Sequence, residues 1–170
     1  MEIKKISNAE YFRTNAILYW ALFMGMVMAN AVIVFVFLNE AKDNMFSKIN
    51  FLVSIIAFVL MAICIFLSRS LFKKRLDVIQ SNPVLAEKMS SYKAALMIKY
   101  ALIEFPAFVC LILFAFSNEI LLMGIALVII GYYLSEKPTR QKCYTDLCLN
   151  ESEKMLLDDP DGRICETTLQ

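Results

Sequence analysis

The feature that most constrains this chain is a set of apolar stretches long enough to cross a bilayer. A spanning helix needs about 20 mainly apolar residues at 1.5 Å rise each. Thr14 to Asn39 and Ile49 to Ser68 carry no charge at all. Met97 to Phe116 is equally apolar except for Lys99 and Glu104, and Ile120 to Ser135 is a shorter fourth stretch. Unpaired backbone groups are intolerable in lipid, so such stretches must be helices. They predict an all-α polytopic membrane protein whose four transmembrane helices form two hairpins. Ala29-Asn30-Ala31 looks like a cleavage site, but the apolar run continues past it, so the first stretch reads as an uncleaved helix.

Orientation follows from the basic residues. Lys4, Lys5 and Arg13 precede the first span, and Arg69, Lys73, Lys74, Arg75, Lys88 and Lys93 lie between the second and third. The tail adds Lys137, Arg140, Lys142, Lys154 and Arg163, whereas the two opposite loops hold only Lys42 and Lys48. The positive-inside rule places both termini and the middle link in the cytoplasm. All the tyrosines, and Trp20, fall in the cytoplasmic half of this topology. The expected organisation is a cytoplasmic N-terminus (1–13), a transmembrane domain (14–135) with a cytoplasmic helical hairpin (69–96), and a cytoplasmic tail (136–170).

Within the link, Phe72, Leu76 and Ile79, then Leu85, Met89, Tyr92 and Leu96, keep helical spacing. Asn82 as N-cap and Pro83 as first helical residue mark the break between the two helices. In the tail, Pro138 is expected to start a helix reaching about Leu149, and Asn150 with Glu153 fits a capping box for the next. Asp158-Asp159-Pro160-Asp161-Gly162 reads as a turn, with loose residues after it. The acidic tail and the Lys73-Lys74-Arg75 run are read as two solvated faces, although docking of one on the other would be electrostatically favourable. Trp20-Ala21-Leu22 against Tyr100-Ala101-Leu102, and Asn39-Glu40 against Asn118-Glu119, hint at a parallel duplication of the two halves.

Charge and residue inventory narrow the chemistry. The 17 basic and 16 acidic residues nearly cancel, which disfavours nucleic acid as a partner. Histidine is absent, which removes histidine-based triads, haem ligation through histidine, and His-containing zinc sites. Cys64 and Cys110 sit in spans as apolar packing residues, and the spacing of Cys143, Cys148 and Cys165 fits no zinc pattern. No phosphate-binding loop or nucleophile motif is present, so the chain is read as no enzyme, with no catalytic residue, no metal and no cofactor.

Two deep polar residues remain. Glu104 lies about 18 Å inward from Phe116 by helix rise, near the bilayer centre. A carboxylate there must face the interior, hold a proton or bind a cation. Tyr100, Ala101, Ala107 and Phe108 share its face, while Lys99 is turned away from it and reads as snorkelling toward the cytoplasm. Pro106 releases the carbonyl of Leu102 one turn away. Asn30 lies about 12 Å deep on the first helix, beside the small-residue series Ala21, Gly25, Ala29 that suits helix contact. The candidate ion-binding residues are Glu104, Asn30 and Tyr100; a hydrogen bond from protonated Glu104 to Asn30 is the structural alternative.

Around ALIEFPAF, Ala101 to Phe108, the chain resembles the c subunit (proteolipid) of rotary ATP synthases, and its four spans with one carboxylate resemble the duplicated proteolipids of vacuolar-type pumps. That resemblance implies that Glu104 carries protons or sodium. The chain departs from that family in lacking its glycine-repeat helix, in its long link, and in placing the glutamate in the first helix of a hairpin. Taken whole, it resembles a family of uncharacterised four-helix bacterial membrane proteins that share the glutamate motif and a tail of this kind ending in Asp158-Asp159-Pro160-Asp161. That resemblance implies a bacterial inner membrane and brings no activity with it; the expected function is an accessory or structural subunit, acting through helix packing and a cytoplasmic docking surface. Its partners would be the lipid bilayer and other membrane subunits or further copies of the chain. The alternatives are an ion-translocating, proteolipid-like subunit using Glu104, and a small-solute exporter.

Overall fold

The computed structural model describes residues 4–37, 47–117, 119–159 and 162–166. Six helices carry the fold: α1 (Asn8–Phe37), α2 (Ser47–Gln80), α3 (Leu85–Ser117), α4 (Ile120–Ser135), α5 (Arg140–Asp146) and α6 (Glu151–Asp158). The all-helical expectation holds apart from one short ribbon. In it β1 (Lys4–Ser7) pairs antiparallel with β2 (Arg163–Glu166), setting Lys4 opposite Glu166 and Ser7 opposite Arg163.

Three helices, α1, α2 and α3, are long and apolar enough to cross a membrane, and α4 taken together with α5 gives a possible fourth. α2 and α3 do not break where their apolar stretches meet the link between them. α2 continues through Lys73, Lys74 and Arg75 to Gln80, and α3 begins at Leu85, well before Met97. Each long helix therefore contributes to two compact units, the first made of residues 1–19, 70–98 and 138–170, the second of 20–69 and 99–137. The duplication cannot be followed at Asn39, Glu40 and Asn118, which lie outside the described residues. The corresponding second helices differ in length, 34 residues in α2 against 16 in α4.

In the first unit the turns are set by side chains. The Ser81–Val84 break does not use Asn82 as the cap of α3. Instead Asn82 Oδ1 accepts from the Val84 amide at 2.9 Å, its Nδ2 donates to Glu87 Oε2 at 2.7 Å, and the helix starts at Leu85. An asparagine two residues ahead of a free amide makes this local turn without entering the helix. Likewise α5 starts at Arg140, not Pro138, because Thr139 Oγ1 accepts from Lys142 N at 3.2 Å and caps it there. The helix ends short of Leu149, where Cys148 takes a left-handed φ of 48°. The capping box of α6 forms as expected, with Asn150 N donating to Glu153 Oε2 at 2.9 Å. The acidic turn closes through Gly162 N to Asp159 O at 3.2 Å.

The tail is not a solvated face, and Arg163–Glu166, expected to be loose, form β2, while 167–170 lie outside the described residues. Leu147, Leu149, Leu157 and Cys143 are buried together with Tyr11, Phe72, Ile79, Met89 and Tyr92, a core drawn from all three segments of this unit. Lys88 Nζ bonds Glu153 Oε1 at 3.2 Å, Tyr92 Oη donates to Asp146 Oδ2 at 2.9 Å, and Gln80 Nε2 donates to the Asp146 carbonyl at 2.6 Å. Docking of tail on link thus occurs through Lys88, while Lys73, Lys74 and Arg75 remain exposed. The reason is apolar: the leucines of the tail need a cover, and the regular face of Phe72, Ile79, Met89 and Tyr92 supplies it.

The turn at 159–162 then returns the chain to the start of α1. Asn8 Nδ2 donates to the Leu156 and Asp159 carbonyls at 2.6 and 2.9 Å, and Asn8 N donates to Gly162 O at 3.0 Å. A Cβ at Gly162 would stand 2.4 Å from Asn8 Nδ2, so this approach requires glycine.

Candidate functional site

Among its described residues, the second unit buries one polar cluster and, apart from it, the polar groups of Asn30, Ser54 and Glu104. The cluster centres on Glu136, just past the end of α4. Its Oε2 accepts from Lys99 Nζ at 2.6 Å, and both side chains are nearly buried, 12% and 8% exposed. Its Oε1 accepts from Tyr132 Oη at 3.3 Å and lies 4.0 Å from Arg69 Nη2. Arg69 Nε donates to Tyr132 Oη at 3.0 Å and its guanidinium sits 5.4 Å from that ring's centroid. Tyr100 Oη donates to the Glu136 carbonyl at 3.2 Å, and Ser68 Oγ to the Lys99 carbonyl at 3.1 Å. One carboxylate therefore ties α2, α3 and α4 together. Lys99 does not reach water by snorkelling; it ends on a buried acid.

That arrangement places Tyr100 away from the role expected of it. Its hydroxyl is engaged at Glu136, and its ring packs 5.3 Å from that of Tyr133, which in turn stacks on Phe23. Glu104 lies one turn further along α3, on a helix that stays continuous through the buried Pro106. The face of Glu104 is divided: Tyr100 and Ala107 are buried on one side, Ala101 and Phe108 exposed on the other. Its Oε1 is buried with no hydrogen-bond partner. The cations of this unit whose side chains are described are engaged elsewhere, Lys99 on Glu136, Arg69 on Tyr132, and Lys137 at 5.6 Å from the Trp20 ring centroid, while the side chain of Lys48 lies outside the description.

Asn30 is buried, 6% exposed, and its Nδ2 donates to Met26 O of its own helix at 3.0 Å. Its Oδ1 also has no partner. No hydrogen bond joins Asn30 to Glu104 among the described residues. The small-residue series beside it is likewise not an internal contact. Ala21 and Gly25 are exposed, and a Cβ built at Gly25 meets nothing within 4 Å; the same is true at Gly124 and Gly131 of α4.

A second candidate surface lies on the first unit, between α5 and α6. Gln141, Tyr144, Thr145, Cys148, Lys154 and Met155 line part of a groove of about 570 Å³, with Glu151 and Asp158 on its rim. Lys154 is already held by Glu151 at 2.6 Å, and Tyr144 Oη donates to Asp158 at 2.5 Å. Beside it Met155 and Leu156 are 72% and 62% exposed, the most apolar surface α6 presents. Burial pushes the Tyr144 hydroxyl up to about 12, with Asp158 adding to it. The buried Cys143 thiol is pushed up to about 12 by desolvation and by Asp146, which leaves it unreactive, whereas Cys148 is exposed. Among the described residues no group of three or more Cys, Asp or Glu side chains is placed to hold a metal ion.

Sequence reasoning singled out Glu104 and Asn30 but missed Glu136, Arg69 and Tyr132. The one available signal was Glu136 itself, an acid directly behind an apolar stretch, with Lys99, inside another apolar stretch, left without an assigned partner. Compared with models of known protein families, with curated proteins and with solved structures, the chain matches none.

Proposed function

We propose that this protein is an accessory or structural subunit of the bacterial inner membrane, with four spans, both termini in the cytoplasm, and the first unit serving as its cytoplasmic docking head. The observation that carries this reading is the exposed pair Met155 and Leu156 beside the α5–α6 groove, on a unit whose other described tail leucines, Leu147, Leu149 and Leu157, are buried. Large apolar side chains exposed next to a groove mark interaction surfaces. The acidic rim, Glu151 and Asp158 against a single, already paired Lys154, favours a basic segment carrying one or two apolar anchors. In the membrane, the uncovered Gly25, Gly124 and Gly131 positions suit close approach of a partner helix.

The test is retention through mild detergent. Full-length protein is expected to keep a partner that Met155→Asp, Leu156→Asp releases, with an unchanged melting midpoint. A partner held equally by both proteins would rule out the α6 face as the docking surface. A chain that is monomeric and alone, even after cross-linking in native membranes, would overturn the subunit reading.

A second reading has its own observation. Glu104, with a buried unpartnered oxygen and no cation paired with it among the described side chains, suits a proton- or sodium-translocating subunit in which that carboxyl binds the ion.

A further inference from the structure

The first unit carries two stripes of the same pattern and opposite charge. Along α6, Glu151, Met155 and Asp158 keep i, i+4, i+7 spacing on one exposed face, clear of the buried Leu157. Along α2, Leu71, Lys74, Arg75 and Val78 keep i, i+3, i+4, i+7 spacing on the face away from the buried Phe72 and Ile79. Val78 is 72% exposed, as Met155 is. Each apolar side chain thus stands one turn from two like charges, acids beside Met155 and bases beside Val78. Both stripes run two turns, about 12 Å. Asp77, the one acid on this part of α2, lies beyond Lys74 and about 160° round the helix from Arg75.

Neither stripe is matched within its own unit. The ion pair that docks the tail on the link is Lys88 with Glu153, and Lys74 and Arg75 stay exposed. On the acidic side Glu151 holds Lys154, whereas Asp158 accepts from the neutral Tyr144 hydroxyl, a contact that leaves its charge uncancelled. Lipid headgroups account poorly for the basic stripe. With the apolar stretch of α2 in the bilayer as far as Ser68, Lys74 lies about 9 Å and Val78 about 15 Å further along the helix. The headgroup layer is only about 5–7 Å deep on each side, so the stripe runs past it. An acidic surface with an apolar side chain of its own satisfies both the charges and Val78.

We propose that the occupant of the α6 face is a second copy of this chain, which sets the Lys74, Arg75 and Val78 stripe of its α2 against Met155 and Leu156, with its bases on Glu151 and Asp158; the proposal rests on the docking-head reading above. Every copy bears both stripes, and copies in one membrane share an orientation. A two-fold pair therefore makes the contact twice, the second time at high effective concentration.

The test co-expresses two differently tagged full-length copies, one Met155→Cys and the other Val78→Cys, both with Cys148→Ser and Cys165→Ser, and oxidises them in native membranes. A disulfide-linked species bearing both tags is expected, and neither cysteine variant should give it when expressed alone. Lys74→Glu with Arg75→Glu on the Val78→Cys copy should lower its yield about tenfold, since like charges then face each other, without moving the melting midpoint. Glu151→Lys with Asp158→Lys on the facing copy should restore it. Because those two acids also hold Lys154 and Tyr144, ionic strength gives a second arm: the unreversed pair should link less at about 1 M salt than at about 0.01 M. A yield indifferent to both charge reversal and salt would overturn the proposal as mere collision. No linked species, with anionic lipid retained by the parent and lost in Lys74→Glu, Arg75→Glu, would overturn it in favour of headgroups. No linked species, while Met155→Asp, Leu156→Asp still releases a different protein, would overturn the second copy and leave the docking head standing. No linked species and nothing released would overturn both.

Discussion

The two units solve the burial of polar groups in opposite ways. In the first, partners come from segments far apart in the chain: Asn8 with Leu156 and Asp159, Tyr11 with the Met89 carbonyl at 2.6 Å, Lys88 with Glu153 and Tyr92 with Asp146. In the second, polar contacts are gathered at Glu136, while Glu104 and Asn30 are left with unpartnered oxygens. The first unit therefore depends on the whole chain being present, tail included. The second depends on apolar surroundings and one ionic knot. Buried acceptors without a partner remain in both units, Asn8 Oδ1 in the first and Glu104 Oε1 and Asn30 Oδ1 in the second, and each is expensive to leave unpaired.

The largest effect is expected at the knot. Removing one partner of a buried ion pair strands the other, at a cost of about 3–5 kcal/mol. Glu136→Gln should therefore lower the melting midpoint of the detergent-solubilised protein strongly, and Lys99→Met added to Glu136→Met should recover much of it. If the single and double variants melt alike, the knot is a surface contact. Next comes the tail closure. Gly162→Ala forces a Cβ against Asn8 Nδ2, an overpacking worth about 1–3 kcal/mol. It should speed hydrogen exchange in α6 while leaving α4 unchanged, which would separate the two units experimentally. Tyr11→Phe removes a buried donor from the Met89 carbonyl and should cost about 1–3 kcal/mol within the same unit.

The smallest effect concerns pH. The Asn150 amide, with help from Lys88, holds the Glu153 carboxyl below its ordinary value against the opposing effect of burial. A carboxyl depressed in the folded state contributes stability above its unfolded value and loses it as pH falls through the folded one. Exchange protection in α6 should thus be flat from neutral pH down to about 4 and weaken only below it. Protection that is already lost near pH 6 would exclude Glu153 as the cause.

What could be read from the sequence was local or strongly periodic. The apolar stretches, the α6 capping box and the two link helices each announce themselves within a few turns of chain. Helix starts were displaced by two residues at Asn82 and Thr139, because a turn-forming side chain satisfied a free amide before the helix began. The larger departures all involve distant partners. Nothing near Lys99 says that its counter-ion is Glu136, and nothing in Arg163–Glu166 says that this segment pairs with Lys4–Ser7. The tail leucines were visible, but which surface covers them depends on the fold. Glu104 was legible because depth alone makes a carboxylate conspicuous. That Tyr100 would be drawn away from it to Glu136 was not.

The most direct test of the whole account uses two of the cysteines. In one variant only Cys148 is kept and in another only Cys143, and each is treated with a membrane-impermeant maleimide in right-side-out and inside-out vesicles. A folded first unit on the cytoplasmic side predicts fast labelling of the exposed Cys148 from that side alone, with the buried Cys143 unreactive until denaturant opens the unit. Labelling of Cys148 from the outer side, or equal rates at the two thiols in the native protein, would contradict it.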